Sequence, residues 1–255
     1  MNGHGVTLTS FIVTICNVLY KPARKYLGKL LFGALMRPGT ISSWLRGHAE
    51  GLAKRMYEQL TRIGLKDESL QNAYALWLVK SLELHKDAEI KLIVDDTPIK
   101  RYGKKVQRVG HHNPTDKTNA NSCCYGRPLV MISIVVGRPR WKTRSTPAEE
   151  VIKQYALRFS IEELFKDLKQ DCGLGLQQTR RYEWSLASAS IVIAGYSLVE
   201  VWSFDQDENE LKSLRNVWDD MEHRPSHREK LCAIRKNSRG NFISNNIPIA
   251  LTVIY

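Results

Sequence analysis

The spacing of the apolar residues changes twice along this chain, and that change limits the fold more than any other feature of the sequence. Up to residue 86 the apolar residues recur at helical spacing, as in HAEGLAKRMYEQLTRIGL and ESLQNAYALWLVKSLELH. Two short β-branched runs follow, EIKLIVDDT and RPLVMISIVV, and helical spacing then returns at residues 148–170 and 184–203. This order of helices, strands and helices predicts a mixed α/β fold.

The same changes predict how the chain is divided. The expected parts are an all-helical module at residues 1–86, a mixed core at 87–204 and a basic helical tail at 205–255. In the first part, Gly39 or Thr40 is expected to cap a helix that begins at Ile41. Trp44 and Leu45 are expected in the core of that module, and we leave open whether Ser42, Ser43 and Arg46 contact DNA.

The charge of the chain favours an anionic partner. Its 38 Lys and Arg residues exceed its 26 Asp and Glu residues, which gives a net charge of +12. This balance favours nucleic acid first and a membrane surface second. The apolar runs at 6–20 and 190–204 are shorter than the ~20 residues that span a bilayer, so we expect buried helices and no membrane partner. The five cysteines form no CxxC pair, which indicates reduced thiols in a cytoplasmic protein.

Residues 155–170, YALRFSIEELFKDLKQ, place a polar stripe beside an apolar one. On a helix the polar stripe falls within a sector of about 60°. It consists of Tyr155, Arg158, Glu162 and Lys169. Glu162 is expected at the edge of the core and Glu163 in solvent. Two interpretations stay open: a carboxylate that binds a metal beside phosphate-binding cations, or an amphipathic helix with salt bridges between successive turns.

The spacing Y-(2)-R-(3)-E-(6)-K in this stretch resembles the signature of bacterial transposases of insertion-sequence family four. These enzymes belong to the DDE class and have an RNase H-like core. The segment IVDDTPIKRYGKKVQRVGHHNPT is similar to the strand of this group in which the first catalytic aspartate precedes a threonine. The segments GLGLQQTRRYEW, YSLVEVW and RPSHREK resemble its C-terminal region. The resemblance covers residues 86–236 and, more weakly, the N-terminal helices.

The resemblance implies a DNA transposase that binds the ends of its element, cleaves them and joins them to target DNA with two Mg²⁺ ions. It makes Asp96 the first catalytic metal ligand, because Asp96 directly precedes Thr97, and Glu162 the last. Asp95 is the competing choice, and both aspartates could instead cap a turn. Since two element ends are held together, a homodimer is implied, located at the nucleoid in the cytoplasm.

Two groups of residues are expected to contact DNA. By resemblance, Tyr155, Arg158 and Lys169 bind phosphates or the terminal nucleotide of the element. From its composition, the stretch KRYGKKVQR is expected to contact the DNA backbone through Lys104, Lys105 and Arg108. Further along, Arg224, His227 and Arg228 either touch DNA or form a solvated basic turn. His111 and His112 are expected at a loop or strand edge rather than at a metal.

One element of the DDE signature is missing from the sequence. Between residues 97 and 161 the only aspartate is Asp116, and the acids Glu149 and Glu150 lie on the approach to the helix. By the resemblance, the junction GRPRWKTRSTPAEE is expected to mark the place where a middle segment of the family is absent. We therefore expect an incomplete RNase H-like core with impaired cleavage and strand transfer.

Three functions follow as alternatives. The chain is a shortened transposase, a DNA-binding remnant without catalysis, or a basic helical interaction protein with no role on DNA. The salt dependence of binding distinguishes the interaction protein from the two DNA-binding alternatives. Phosphate contacts release counterions, so binding to DNA weakens as the salt concentration rises.

Overall fold

The structure, a computed structural model, describes residues 8–37, 39–46, 50–81, 91–102, 105–112, 124–135, 148, 161–205 and 226–233. The helices are α1 (Leu8–Cys16), α2 (Lys21–Met36), α3 (Ile41–Trp44), α4 (Glu50–Gly64), α5 (Asp67–Ser81), α6 (161–170), α7 (Tyr182–Asp205) and α8 (227–233). The strands are β1 (Lys91–Lys100), β2 (Gly110–His112) and β3 (Cys124–Val135).

The long helix α7 is the centre of the helical part. It packs against α2, α4 and α5, and its Gly195 lies directly beside Leu31 and Leu35 of α2. The indole nitrogen of Trp184 donates to Thr61 Oγ1 over 2.8 Å, and Gln71 Nε2 donates to Ser190 Oγ over 2.9 Å. The absence of a side chain at Gly195 allows the axes of α2 and α7 to approach closely, and the N-terminal helices share one apolar core with α7.

Length and composition alone would let one described helical segment cross a membrane. It is Tyr182–Val201, of which 56% is buried inside the protein. It packs against α2, α4 and α5.

The three strands form one antiparallel sheet in the order β1-β3-β2. Asp95 pairs with Met131 and Asp96 with Val130 along β1 and β3. One face of this pair is covered and includes Thr97, Ile99 and Met131. The other face is exposed and carries Asp96 beside a group of apolar side chains, with Leu92, Val94, Val130 and Ile132 each 59–65% accessible. The side chains of β1 and β3 therefore alternate between a packed face and an open one.

The predicted mixed helix-and-sheet class is confirmed, and several local predictions hold. Thr40 caps α3, since its hydroxyl accepts from the backbone nitrogen of Ser43. Trp44 and Leu45 are buried, as expected. His111 lies on the edge strand β2. The RNase H-like core stays a prediction, because all strand pairs among the described residues are antiparallel and form a small sheet.

The predicted division at residues 86 and 87 falls outside the described residues. On either side of it the apolar core is continuous, since Leu60 and Trp77 belong to the same cluster as Ile99 and Leu168. The division into parts stays a prediction.

Candidate functional site

The end of β1 meets the end of α6 through one side-chain contact. Lys169 Nζ donates a hydrogen bond of 2.5 Å to Thr97 Oγ1. Thr97 is buried and Lys169 is half-buried, so this contact lies at the edge of the core rather than in open solvent. The structure thus brings together the two stretches in which the sequence predicts catalytic acids.

The alternation of β1 separates the two neighbouring aspartates. Asp95 is half-buried and lies on the face of Thr97, the residue that Lys169 contacts. Asp96 is exposed and lies on the opposite face with Val94. Asp95 Oδ1 also accepts from the backbone nitrogen of Asp96 over 2.9 Å. Of the two acids, Asp95 is the one that shares a face with α6.

Glu162 lies on the same helix as Lys169, two turns earlier, or about 10 Å along the axis. Its side chain is exposed, as is that of Glu163, so exposure does not distinguish these two glutamates as the sequence led us to expect. The apolar stripe of α6 is as predicted, with Ile161, Phe165 and Leu168 buried. This stripe fixes the helix against the core and leaves Glu162 accessible from solvent.

Several predicted site residues fall outside the described part of the chain. These are Lys104, Asp116, Glu149, Glu150, Tyr155, Arg158 and Arg224. Among the residues that the structure does describe, no group of three or more His, Cys, Asp or Glu side chains could hold a metal ion. Because Mg²⁺ is usually held by one or two carboxylates together with substrate phosphates, the assignment of Asp96 and Glu162 as ligands stays a prediction.

A basic surface forms where the chain after β1 meets the chain before α7. Its exposed cations are Lys100, Lys105, Arg108, Arg180 and Arg181. Gln107 joins the two segments, because its backbone nitrogen donates to Arg180 O and its side-chain oxygen accepts from Tyr182 N, each over 3.2 Å. Gln178 adds a second link by donating to the backbone oxygen of Lys100 over 3.4 Å.

The ring of Tyr182 organises the cations at this junction. The Arg108 guanidinium lies 4.3 Å from the ring centre, and that of Arg127 lies 5.3 Å from it. Arg108 has a φ of 50°, a left-handed conformation that is uncommon for a residue with a β-carbon. Cation–π contacts of this kind hold guanidinium groups in place at little cost in entropy, so part of the basic surface is preorganised.

Two buried arginines lie beneath this surface. Arg101 is 3% exposed and donates to Gly175 O, Gln177 O and Ser185 Oγ over 3.1, 2.5 and 2.6 Å. Arg127 is 5% exposed and donates twice to the backbone oxygen of Gln107. Burial and the positive charge of Arg127 lower the pKa of Arg101 to about 10.

The acceptors around these arginines are neutral. Carbonyl and hydroxyl oxygens accept from two nitrogens of each guanidinium, while Arg101 Nε and Arg127 Nη1 have no hydrogen-bond partner among the described residues. Neutral acceptors do not compensate the positive charge of the Arg101 guanidinium, whereas the carboxylate of Glu183 attracts that of Arg127. The two arginines therefore add positive potential below the exposed cations, which favours a bound anion.

The sequence predicts one half of the basic surface and gives no role to the other half. Lys105 and Arg108 were predicted to contact DNA, and both are exposed on it. Arg180, Arg181 and Tyr182 had no predicted role, although the run TRRYEW combines cations with aromatics, as nucleic-acid-binding surfaces often do.

One expectation is wrong. His227 was expected either to touch DNA or to lie in a solvated turn, yet it is 2% exposed. Its ring stacks on Tyr196 with a centroid distance of 4.1 Å, which excludes both water and a DNA strand. The next residue, Arg228, is exposed on the same helix.

Comparison of the chain with protein-family models, with curated proteins and with solved structures finds no match.

Proposed function

We propose that this chain binds DNA as a shortened relative of a DDE transposase, with impaired cleavage and strand transfer. The observation that carries the proposal is the hydrogen bond from Lys169 to Thr97. It joins the strand that ends in DDT to the helix of the Y-R-E-K pattern, two stretches that a transposase mechanism requires at one place.

The basic surface supports the DNA-binding part of the proposal. Its five exposed cations come from two segments of chain that Gln107 and Gln178 hold together. Cations spread over such a surface bind the phosphate backbone and carry little sequence information. Recognition of particular element ends is then the task of other residues, for which Ser42, Ser43 and Arg46 are our candidates. Of these, Ser42 and Arg46 are exposed.

The number of carboxylates that can bind the metal determines how much catalytic activity remains. A bound Mg²⁺ would activate a water or 3′-hydroxyl and stabilise the leaving oxygen. The resemblance gives Asp96 and Glu162 for this role. We propose its alternative, Asp95, together with Glu162, because Asp95 shares the face of β1 that meets α6. The missing second aspartate leaves the carboxylate set incomplete, so we expect cleavage far below that of a complete enzyme.

The open face of the sheet agrees with the loss of a segment. An RNase H-like sheet has helices on both faces, whereas here Val94, Val130 and Ile132 are each more than 60% exposed. A segment lost between β3 and α6 would have left such a face without its cover.

Binding of a labelled DNA duplex, measured by fluorescence anisotropy at increasing salt, tests the proposal. We expect the affinity to fall at least tenfold between about 50 and 200 mM salt, because each phosphate contact contributes a slope of about −0.9. Affinity that does not respond to salt would overturn the proposal and favour the interaction protein without a DNA role.

Measurements of binding and nicking in Mg²⁺ and in EDTA distinguish the shortened transposase from the DNA-binding remnant. Salt-sensitive binding together with weak Mg²⁺-dependent nicking of plasmid DNA supports the shortened transposase. Equal binding in EDTA with no nicking at any Mg²⁺ concentration favours the DNA-binding remnant. A homodimer located at the nucleoid belongs to the same proposal, since two element ends must be held together.

A further inference from the structure

A cysteine, a histidine and a glutamate meet in the core, away from the basic surface. Cys172 follows α6, Glu200 lies on α7 and His227 is the first residue of α8. The distance from Cys172 Sγ to His227 Nε2 is 3.3 Å, and that from His227 Nδ1 to Glu200 Oε1 is 2.9 Å. Cys172 is 8% exposed and carries a thiol rather than a disulfide.

The glutamate fixes which ring nitrogen carries the proton. Burial raises the pKa of Glu200, but the hydrogen bond from His227 and the charge of Lys230 outweigh burial, so its pKa lies below the ordinary value. An ionised carboxylate only accepts, so His227 Nδ1 carries a hydrogen and donates it. Lys230 Nζ donates to the other carboxylate oxygen over 2.5 Å and holds that carboxylate in position.

Because Nδ1 carries the hydrogen, Nε2 of His227 has a free lone pair, and that lone pair faces the thiol of Cys172. An imidazole placed in this way takes the proton of a neighbouring thiol or hydroxyl, and the carboxylate stabilises the imidazolium that results. We propose that His227 and Glu200 hold Cys172 as a nucleophilic thiolate, which makes it a modification site for small uncharged electrophiles.

The other groups that face the imidazole determine how far the proton transfer goes. Tyr196 on α7 stacks on the ring at an interplanar angle of 17°, an arrangement that favours a cationic ring. Asp167 on α6 attracts the same positive charge. Lys230 opposes it, but its ammonium is bonded to Glu200. Glu200, Asp167 and the Tyr196 ring would therefore each stabilise a positive charge that develops on the imidazole as it takes the thiol proton.

The small exposed fraction of Cys172 limits which reagents reach it. A compact neutral molecule such as iodoacetamide fits this requirement. In its reaction the thiol proton moves to His227 Nε2, and Cys172 Sγ attacks the methylene carbon. A C–S bond forms, the C–I bond breaks and iodide leaves with its electron pair, while the proton passes from the imidazolium to water.

Two other cysteines serve as internal references. Cys16 is buried, its Sγ lies 3.6 Å from Arg24 O, and burial raises its pKa to about 11 in spite of the nearby Arg24 charge. Cys232 on α8 is exposed. An ordinary thiol with a pKa of about 8.5 is ~0.3% ionised at pH 6. Cys172 should therefore react at pH 6 faster than an unactivated thiol does, whereas Cys16 should hardly react.

The test is the rate of iodoacetamide labelling of each cysteine in the folded full-length chain, followed by mass spectrometry from pH 5.5 to about 9. At pH 6 we expect Cys172 to react at least about tenfold faster in the wild type than in His227→Gln, which keeps a polar side chain of similar length. Arg228→Ala, on the exposed side of α8, should leave the rate unchanged.

Two results would overturn the proposal. The first is a wild-type Cys172 rate that rises with pH in parallel with Cys232, or no labelling of Cys172 at any pH. The second is an equal Cys172 rate in folded His227→Gln. Should His227→Gln not fold, the thiolate absorbance near 240 nm decides. A wild-type signal at pH 6 that Cys172→Ser removes supports the proposal, and no difference overturns it.

Discussion

Lys169 and Thr97 are 72 residues apart in the chain and are joined by a hydrogen bond between their side chains. Lys169→Met keeps most of the side-chain volume and removes the donor, while Thr97→Val removes the acceptor. Each change should lower the free energy of unfolding by about 1–2 kcal/mol, because a charged donor or its partly buried acceptor loses its partner.

Urea denaturation of both single variants and of the double variant measures the coupling between these two residues. The double variant should lose less than the sum of the single losses by at least about 0.5 kcal/mol. Strictly additive losses would mean that the two side chains do not interact, and the proposed meeting of strand and helix would lose its support.

The two aspartates at the end of β1 are expected to differ in function. Asp95→Asn should reduce residual Mg²⁺-dependent plasmid nicking at least about tenfold, because a carboxylate that binds the metal cannot be replaced by an amide. Asp96→Asn removes the same charge from the exposed face and serves as the matched control, with an expected effect below about twofold. A larger loss of nicking in Asp96→Asn than in Asp95→Asn would make Asp96 the catalytic acid.

The basic surface predicts which arginines matter for DNA binding. Arg180→Ala with Arg181→Ala should weaken duplex binding and reduce the salt slope by about 2, one unit for each lost phosphate contact. Lys54→Ala with Arg55→Ala removes the same charge from exposed positions of α4. Equal losses in both double variants would show that net charge, and not this surface, determines the affinity.

A close backbone contact predicts a strong effect at one glycine. Gly173 has a φ of 78°, and a β-carbon there would lie 2.7 Å from Gly39 N. Gly173→Ala should therefore lower the free energy of unfolding by more than about 1 kcal/mol. Gly51 on α4 has nothing within 4 Å of its β-carbon position, so Gly51→Ala should be neutral or stabilising by up to about 1 kcal/mol. Urea denaturation of both variants measures the difference. The prediction is contradicted if the Gly51→Ala midpoint falls together with that of Gly173→Ala.

Two carboxylates near His227 should give opposite pH dependences of stability. The pKa of Glu200 is lowered in the folded chain, so Glu200 stabilises the fold at pH 7 and loses that effect as the pH falls through its folded pKa. Burial raises the pKa of Asp167, in part against the attraction of His227, so its ionised form opposes folding at pH 7.

Urea midpoints at pH 7 and pH 3 check these signs. Glu200→Gln should lower the midpoint at pH 7, and Asp167→Asn should raise it. The difference in midpoint between each variant and the wild type should be smaller at pH 3, because the wild-type carboxyl groups are then largely protonated in the unfolded chain. A lower midpoint for Asp167→Asn at pH 7 would contradict the expected sign.

Local signals in the sequence were enough to predict much of the fold. The apolar stripe of α6 and the Thr40 cap depend on neighbours within four residues, and both are found where expected. The sequence could not decide between Asp95 and Asp96 by alternation. Apolar residues occupy both faces of β1, as Val94 and Ile99 show, so neither face is marked as the inner one.

The remaining features depend on contacts between distant parts of the chain. Arg101 lies in a run of cations that is typical of a solvated loop, and its burial results from carbonyl oxygens at Gly175 and Gln177, more than 70 residues later. Cys172, Glu200 and His227 likewise come from three segments with no common motif. Such arrangements are set by tertiary packing, which the order of residue types does not reveal.

The central position of α7 has a consequence for synthesis on the ribosome. Helices α2, α4 and α5 emerge first, but the helix that fills the space between them ends at Asp205. Until that residue has left the exit tunnel, Leu60 and Ile63 lack the neighbour against which they are buried, and a nascent chain stopped earlier displays them to chaperones and proteases.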